Sequence, residues 1–290
     1  MAKPYKSQPA TAEELRERIL EEYESLSKVL KHIAQYVLDE PSSVALETLA
    51  VLSERMNVHP SAIVRLAKHL GFEGASPMQK LLRDSLLSSG NSLGYAERVR
   101  QFKDSASSRE LSGPDQVLTD FVQGNVLALE NLNQSISAND LKLAVDLIAK
   151  AGTIYVAGFR RSFPVASYLA YSLHQVDKKT VFIDSVGGMT RQQIHGITES
   201  DLLLVVSYHP YAEEAVYLVS SAVEKGSKVL AISDSLVSPV AKPANLVLQV
   251  REAEIRKFRS LSASMCLAQS LVMAYAFAHT DGNLNQSSIR

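Results

Sequence analysis

Five short apolar runs in the second half of the chain restrict its fold more than any other feature. They cover residues 153–157, 181–183, 202–206, 229–232 and 246–250. Ile, Val and Leu fill them with little polar alternation, as expected of strands buried on both faces. The stretches between them, 162–174, 192–197 and 212–225, are helical or helix-like in pattern. Strands alternating with helical crossovers predict a doubly wound parallel sheet, here five-stranded. Two further helical stretches, 117–132 and 141–150, lead into it, and no internal repeat of about 20–50 residues is present.

The first ninety residues follow a different rule, with helical period and almost no strand signal. Leu15, Ile19, Tyr23 and Leu26 recur at three- and four-residue spacing, as do Leu30, Ile33 and Val37. Ser27 is placed to cap the second helix, and Pro41 stops it. A third helix is predicted over 46–56. A fourth opens with Pro60, the residue best tolerated in a first turn, and ends before Gly71, a C′ position. A last one covers 78–87. The expected partition is a helical domain over 1–87, a Ser/Gly-containing linker over 88–114, and a sheet domain over 115–290. A length of 290 residues accommodates about two domains. The fold class expected is therefore α plus α/β.

Composition excludes several classes. Apolar residues make up 46% and charged residues 21%, close to the globular average, so disorder and disulfide miniproteins are ruled out. Cys266 is the sole cysteine, which excludes an intramolecular disulfide and a multi-Cys zinc site and suits a reducing cytoplasm. The polar start, residues 1–8, does not read as a signal peptide. The longest apolar-rich stretch, 261–278, is broken by Ser262, Ser264, Gln269 and Ser270. It is shorter than the ~20 apolar residues a membrane span needs, and reads as a helix buried in the protein or between subunits. These features predict a cytoplasmic protein. Thirty Lys and Arg against 31 Asp and Glu give no global basic field.

Locally the charge is uneven. Residues 46–70 read helix, short turn, helix, with Leu49, Leu52, Met56, Val58, Ile63, Leu66, Ala67 and Leu70 as a small core and Ala50 at a close helix approach. The second helix is then expected to expose His59, Ser61, Ala62, Val64, Arg65, Lys68 and His69. Short side chains near its N-terminus and cations further along are what a helix entering a DNA groove requires. Between Arg55 and Arg83, five cations (Arg55, Arg65, Lys68, Lys80 and Arg83) stand against the single acid Glu73, while acids collect at 13–24. A helical docking or dimerisation module would share part of this pattern.

The segment 58–82 resembles the helix-turn-helix of RpiR/MurR-type bacterial transcription regulators. Val58, Ile63, Val64, Arg65, Leu70, Gly71, Phe72 and Gly74 match that family's pattern, and Leu66 stands for its Phe. His59 replaces the usual Ser and Ala62 the usual Thr. The resemblance implies a C-terminal sugar isomerase (SIS) domain, which binds phosphosugars in loops after parallel strands and assembles subunits.

Gly158-Phe159-Arg160-Arg161-Ser162, followed by Ala166, is similar to the family's Gly-x-Gly-x-Ser-x-x-x-Ala, with Arg160 at the second glycine. A second loop, residues 207–214, keeps Ser207 and Glu214 of Ser-x-Ser-Gly-x-Thr-x-Glu. There His209, Pro210 and Ala212 replace Ser, Gly and Thr. Two phosphate-cradling hydroxyls are thus missing, and Pro210 removes a backbone donor. The expected effector set is Gly158, Arg160, Arg161, Ser162, Ser207, Tyr208, His209, Tyr211 and Glu214, with the two phenols equally suited to packing. Ser185-Val186-Gly187-Gly188 marks a third loop, and Arg259-Ser260 is placed to reach a neighbouring subunit.

These features imply a transcription regulator that binds a double-stranded DNA operator under control of a phosphosugar-like anion or polyol derivative. It would assemble as a homodimer or homotetramer through the SIS domain, with no cofactor, no metal and no membrane partner. The alternative is an aldose–ketose phosphosugar isomerase. His209, Glu213 and Glu214 are nominal acid–base candidates for it, without a matched pair. Dispersed histidines argue against a metal site, and the sequence has neither a Gly-Lys phosphate loop nor a dinucleotide fingerprint.

Overall fold

The computed structural model describes residues 7–88, 113–255 and 258–279. All but the ends of the expected linker, 88–114, lies outside them. The chain divides into two compact units, Met1–Ser105 and Ala106–Arg290.

The described part of the first unit is helical. Thr11 caps α1 (Ala12–Glu22) by accepting from the Glu14 N–H at 3.1 Å. A short 3₁₀ turn leads into α2 (Lys28–Asp39), for which Ser27 sits at the N-cap without a side-chain bond. The helix expected over 46–56 is α4 (Leu49–Met56), and an additional short helix that was not expected, α3 (Pro41–Leu46), precedes it. Pro41 does end α2, yet it also opens α3, because a first turn needs no N–H there. Glu47 is then extended, and Thr48 restarts the chain as the cap of α4. Ala50 is exposed rather than at a close helix approach, since Leu52 and Met56 supply the buried face of α4.

After α5 (Pro60–His69), α6 runs over Ala75–Ser88, starting three residues before the expected helix. Leu15, Ile19, Ile33, Leu52, Ile63, Leu66, Leu70 and Met78 are fully buried and form the core. Both ends that frame α5 rest on left-handed residues. Asn57 (φ 51°) closes α4, with its N–H on the Glu54 carbonyl and the Val58 N–H on Ser53. Gly71 (φ 95°) closes α5 in the same manner, followed by buried Phe72, whose N–H reaches the Ala67 carbonyl. The Leu-Gly-Phe signature is thus a helix stop with its apolar clasp.

In the second unit, α7 (Pro114–Ser135) and α8 (Ala138–Lys150) precede the sheet. Ser137 and Asp140 form a reciprocal capping box on α8. The strands are β1 (Ile154–Gly158), β2 (Thr180–Ile183), β3 (Leu202–Ser207), β4 (Lys228–Ser233) and β5 (Leu246–Gln249). Every pairing is parallel, in the order β2-β1-β3-β4-β5. Crossovers are α9 (Phe163–Gln175), α10 (Thr190–Ile194) and α11 (Glu213–Glu224). A short antiparallel pair, β6 (Glu254–Ile255) and β7 (Phe258–Arg259), precedes α12 (Ser262–His279) and was not legible as strand.

Successive strand residues go to opposite cores. Ile154, Val156, Leu202, Leu204, Leu230 and Ile232 pack with α8, α9 and α12, while Tyr155, Ala157, Leu203, Val205, Val229 and Ala231 pack with α10 and α11. Burial on both faces explains why the strands read as continuous apolar runs. Among the described residues, no helix is long and apolar enough to cross a membrane.

The loop after β1 contains a third left-handed residue, Arg160 (φ 54°), at the position where the resembled pattern has glycine. A side chain pays about 1–2 kcal/mol in that region, while glycine costs roughly 0.5–1 kcal/mol through its unfolded freedom. Two substitutions should therefore move stability in opposite directions in urea unfolding. We expect Gly71→Ala to destabilise by about 1 kcal/mol and Arg160→Gly to be neutral or stabilising by about 0.5 kcal/mol. A destabilising Arg160→Gly would mean that the arginine side chain itself holds the loop.

Candidate nucleic-acid interface and effector site

The helix-turn-helix is α4, the Asn57 turn and α5. The His59 ring sits at the N-cap of α5, where its Nδ1 accepts from the Ser61 N–H at 3.4 Å and lies 2.9 Å from Ser61 Oγ. Ala62, Ile63, Leu66, Ala67 and Leu70 face the core, and His59, Ser61, Arg65, Lys68 and His69 are exposed. Ala62 is thereby corrected: it is 3% exposed, one helical turn before Leu66 on the buried stripe, and is not on the outward face. Val64 is half-buried.

The outward residues are not equivalent. His69 Nε2 lies 2.9 Å from Glu22 Oε2 on α1, which ties α5 to its neighbour. Arg55 binds Glu47 at 2.7 Å and also meets Tyr36, and Arg83 donates to the Ala45 carbonyl at the end of α3. Two of the five cations counted in the sequence are therefore occupied within the domain. Arg65 and Lys68, three residues apart, are exposed and make no ion pair among the described residues.

In the second unit, strand order reverses between β1 and β3, and in open parallel sheets such a switch point forms a crevice at the strand C-termini. Gly158 ends β1 beside Val206 of β3, so the two loops singled out from the sequence emerge together there. Gly158 is required by contact: a Cβ would lie 2.8 Å from Ala166 Cβ and 2.9 Å from the Ser162 carbonyl oxygen. The chain then turns through Arg160 into buried Ser162 and α9. Arg160 is exposed, whereas Arg161 is half-buried. The Arg161 guanidinium lies 5.3 Å from the Tyr208 ring centre and donates to the His209 carbonyl at 3.2 Å.

Ser207 is buried at the end of β3. Both phenols have protein partners: Tyr208 is buried with its hydroxyl against Ser264 Oγ, and the Tyr211 hydroxyl donates to Asp234 Oδ1 at 3.0 Å. Burial pushes the Tyr208 phenol well above its ordinary range, so it stays neutral. The His209 ring is exposed, edge-on to Tyr211. Glu214 is exposed in the first turn of α11, beside Glu213. Neither the carboxylates nor His209 form a pair with each other, so the structure supplies no acid–base couple from these three. Among the described residues, no group of three His, Cys, Asp or Glu side chains is arranged for a metal ion.

Three participants were not read from the sequence. Asp234, directly after β4, accepts from the His209 N–H at 3.1 Å and from Tyr211. Glu252 accepts from the Ser264 N–H at 2.7 Å and the Ala263 N–H at 3.2 Å, capping α12. Ser264 joins that cap to Tyr208. Arg259, expected from the sequence to reach a neighbouring subunit, makes contacts within its own chain. Its Nη1 donates to the His209 carbonyl of its own chain at 3.1 Å and meets Asp234 at 3.5 Å, because the β6–β7 hairpin folds back toward the β3 loop. In the third loop, Ser185 and Val186 are held by Gln193, Thr190 and Asp184 of the same segment.

Comparison with known proteins agrees with this division. The sequence profile of the helix-turn-helix domain, rpiR family, matches residues 13–89, and that of the SIS domain matches residues 147–279. An HTH-type transcriptional regulator of Haemophilus influenzae is 25% identical over 261 residues, spanning 88% of this chain and 86% of the relative. The sugar isomerase domain of an RpiR transcription factor from Sphaerobacter thermophilus superposes with TM-score 0.54 at 23% identity, over 56% of this chain and 91% of that one. Vibrio vulnificus NanR, solved in complex with ManNAc-6P, superposes with TM-score 0.52 at 20% identity, over 95% of both chains. With a helix-turn-helix of the rpiR family followed by a SIS domain on a 2-1-3-4-5 sheet, the chain belongs to the RpiR-type transcription regulators.

Proposed function

We propose that α5 reads an operator and that the crevice between β1 and β3 receives the metabolite that controls operator binding. The observation that carries the first half is the pair Arg65 and Lys68, exposed on a helix whose other face is locked into the core. Ser61 and His59, at the N-terminus of α5, are positioned for base edges or the adjacent phosphate. The second half rests on the Gly158 close approach at the switch point, with Arg160, Arg161, Ser162, Ser207 and His209 around it. NanR was solved with a sugar phosphate, which supports a phosphosugar-like anion as the effector class.

In this reading residues 88–114 are a linker, the protein acts in the cytoplasm, and it regulates without turning its effector over. Assembly through the SIS domain is supported by an exposed apolar stripe on α7, Leu118, Val122, Val126 and Leu129, and by Met273 and Phe277 on α12. Two copies would present two reading helices to a roughly palindromic operator. An effector that binds one subunit arrangement better than another then shifts operator affinity by that difference.

Three outcomes check this. Arg65→Ala and Lys68→Ala should each weaken binding to a DNA fragment enriched by the protein itself, and each should flatten the dependence of log K on log salt by about 0.9. Unchanged affinity in both would remove α5 from the interface. Arg160→Ala combined with Ser162→Ala should abolish the response to an active effector while leaving DNA affinity intact; a retained response would move the pocket elsewhere. Purified protein should leave aldose and ketose phosphates unconverted, and sustained isomerisation would make it an enzyme.

A further inference from the structure

We propose that the anionic group of the effector is held between Arg161 and Arg259, so that this sensor grips an oxyanion with two guanidinium groups instead of seating it on the N-terminus of α11. The proposal deepens, and rests on, the placement of the effector in the β1/β3 crevice.

Two features make the guanidinium pair a seat. Arg161 is a half-buried cation whose protein partners are neutral: an aromatic face and one carbonyl oxygen. One of its five N–H donors is used there, and no carboxylate lies within ion-pair distance among the described residues. The second cation, Arg259, donates to that same His209 carbonyl oxygen at 3.1 Å, against 3.2 Å for Arg161. Two guanidinium groups converging on one neutral oxygen repel each other unless an anion joins them. Burial, and then the Arg259 charge, hold the Arg161 pKa below its usual value, against the opposing pull of the Asp234, Tyr208 and Glu252 charges.

Asp234 and Glu254 offset Arg259, at 3.5 and 3.2 Å, and leave Arg161 outside their reach as ion-pair partners. Asp234 is further engaged by the His209 N–H and the Tyr211 hydroxyl, which fix it as the support of the loop.

The alternative seat is chemically poor. At the start of α11, Pro210 offers no N–H, Ala212 no hydroxyl, and Glu213 and Glu214 place two carboxylates in the first turn. A phosphate arriving there meets repulsion where the resembled pattern offers Ser and Thr hydroxyls. Guanidinium forks match the paired oxygens of either a carboxylate or a phosphate. The ligand class is therefore a hydroxylated metabolite bearing one of these two groups.

Calorimetric titration of the full chain with glucose 6-phosphate, gluconate, inorganic phosphate and neutral glucose tests this, using wild type, Arg161→Gln, Arg259→Gln and Ser162→Ala. At least one anion should bind the wild type more tightly than glucose, and each arginine variant should weaken it about tenfold or more. The better of the phosphate and carboxylate probes then identifies which group is read. Arg259→Gln, on the outer hairpin, keeps the test valid should loss of the Arg161–Tyr208 contact disturb folding. Equal binding in both arginine variants, or no anion binding to the wild type, overturns the proposal. If Ser162→Ala alone abolishes binding, the crevice stands and the arginine seat falls. If none of the three changes weakens binding, both fall.

Discussion

Helix α9 can close on the sheet only because residue 158 has no side chain. A Cβ there would lie within 3 Å of both Ala166 Cβ and the Ser162 carbonyl oxygen, too short for backbone and a packed methyl to absorb. That contact lies at the end of β1, and the chain then passes through the left-handed Arg160. It then enters α9 at a point where Arg161 lies on the Tyr208 ring. Through Tyr208 the same contact reaches Ser264 and the Glu252 cap of α12, so the loop, the β3 end and the final helix form one hydrogen-bonded assembly. In the proposed reading, a ligand at the switch point meets elements joined by hydrogen bonds, the kind of contiguous network through which a pocket can be coupled to a packed helix.

The first unit solves a parallel problem with caps. Asn57 and Gly71 stop α4 and α5 with left-handed residues, and Val58 and Phe72 follow as the clasps. Between these fixed ends α5 has little freedom to slide, so Arg65 and Lys68 project at set positions. Cations elsewhere in the domain serve it internally: Arg83 terminates α3, and Arg55 pairs with Glu47. Net charge was thus a poor guide to DNA binding in both directions, because the balance of 30 basic and 31 acidic residues averages regions with different duties.

Much of this was legible before any coordinates. The five strands read as apolar runs because each is buried on both faces, and the turn-and-cap chemistry of Pro60 and Gly71 fixed α5 closely. The missed helix α3 lasts six residues, and Pro41 was read only as a terminator although it equally suits a first turn. Ala62 looked outward because a short side chain near the N-terminus of α5 suits a helix entering a DNA groove, yet it lies one turn before Leu66 on the buried stripe. Asp234, Glu252 and Ser264 escaped because their partners lie beyond any local spacing: Asp234 meets His209 across 25 residues, Glu252 meets Ser264 across 12, and Ser264 meets Tyr208 across 56. Such contacts have no period. The rule that ligands gather at strand C-termini would have flagged Asp234, directly after β4.

The central claim is that α5 touches DNA and that the sheet domain governs that contact. Photocrosslinking from a single probe at position 61, with the protein bound to DNA it has itself enriched, measures this directly. A crosslink to a base or phosphate within the bound site is expected, with an intensity that changes when an anion that binds the wild-type sheet domain is added. DNA binding without any crosslink from position 61 would contradict it, as would a crosslink that no bound anion alters.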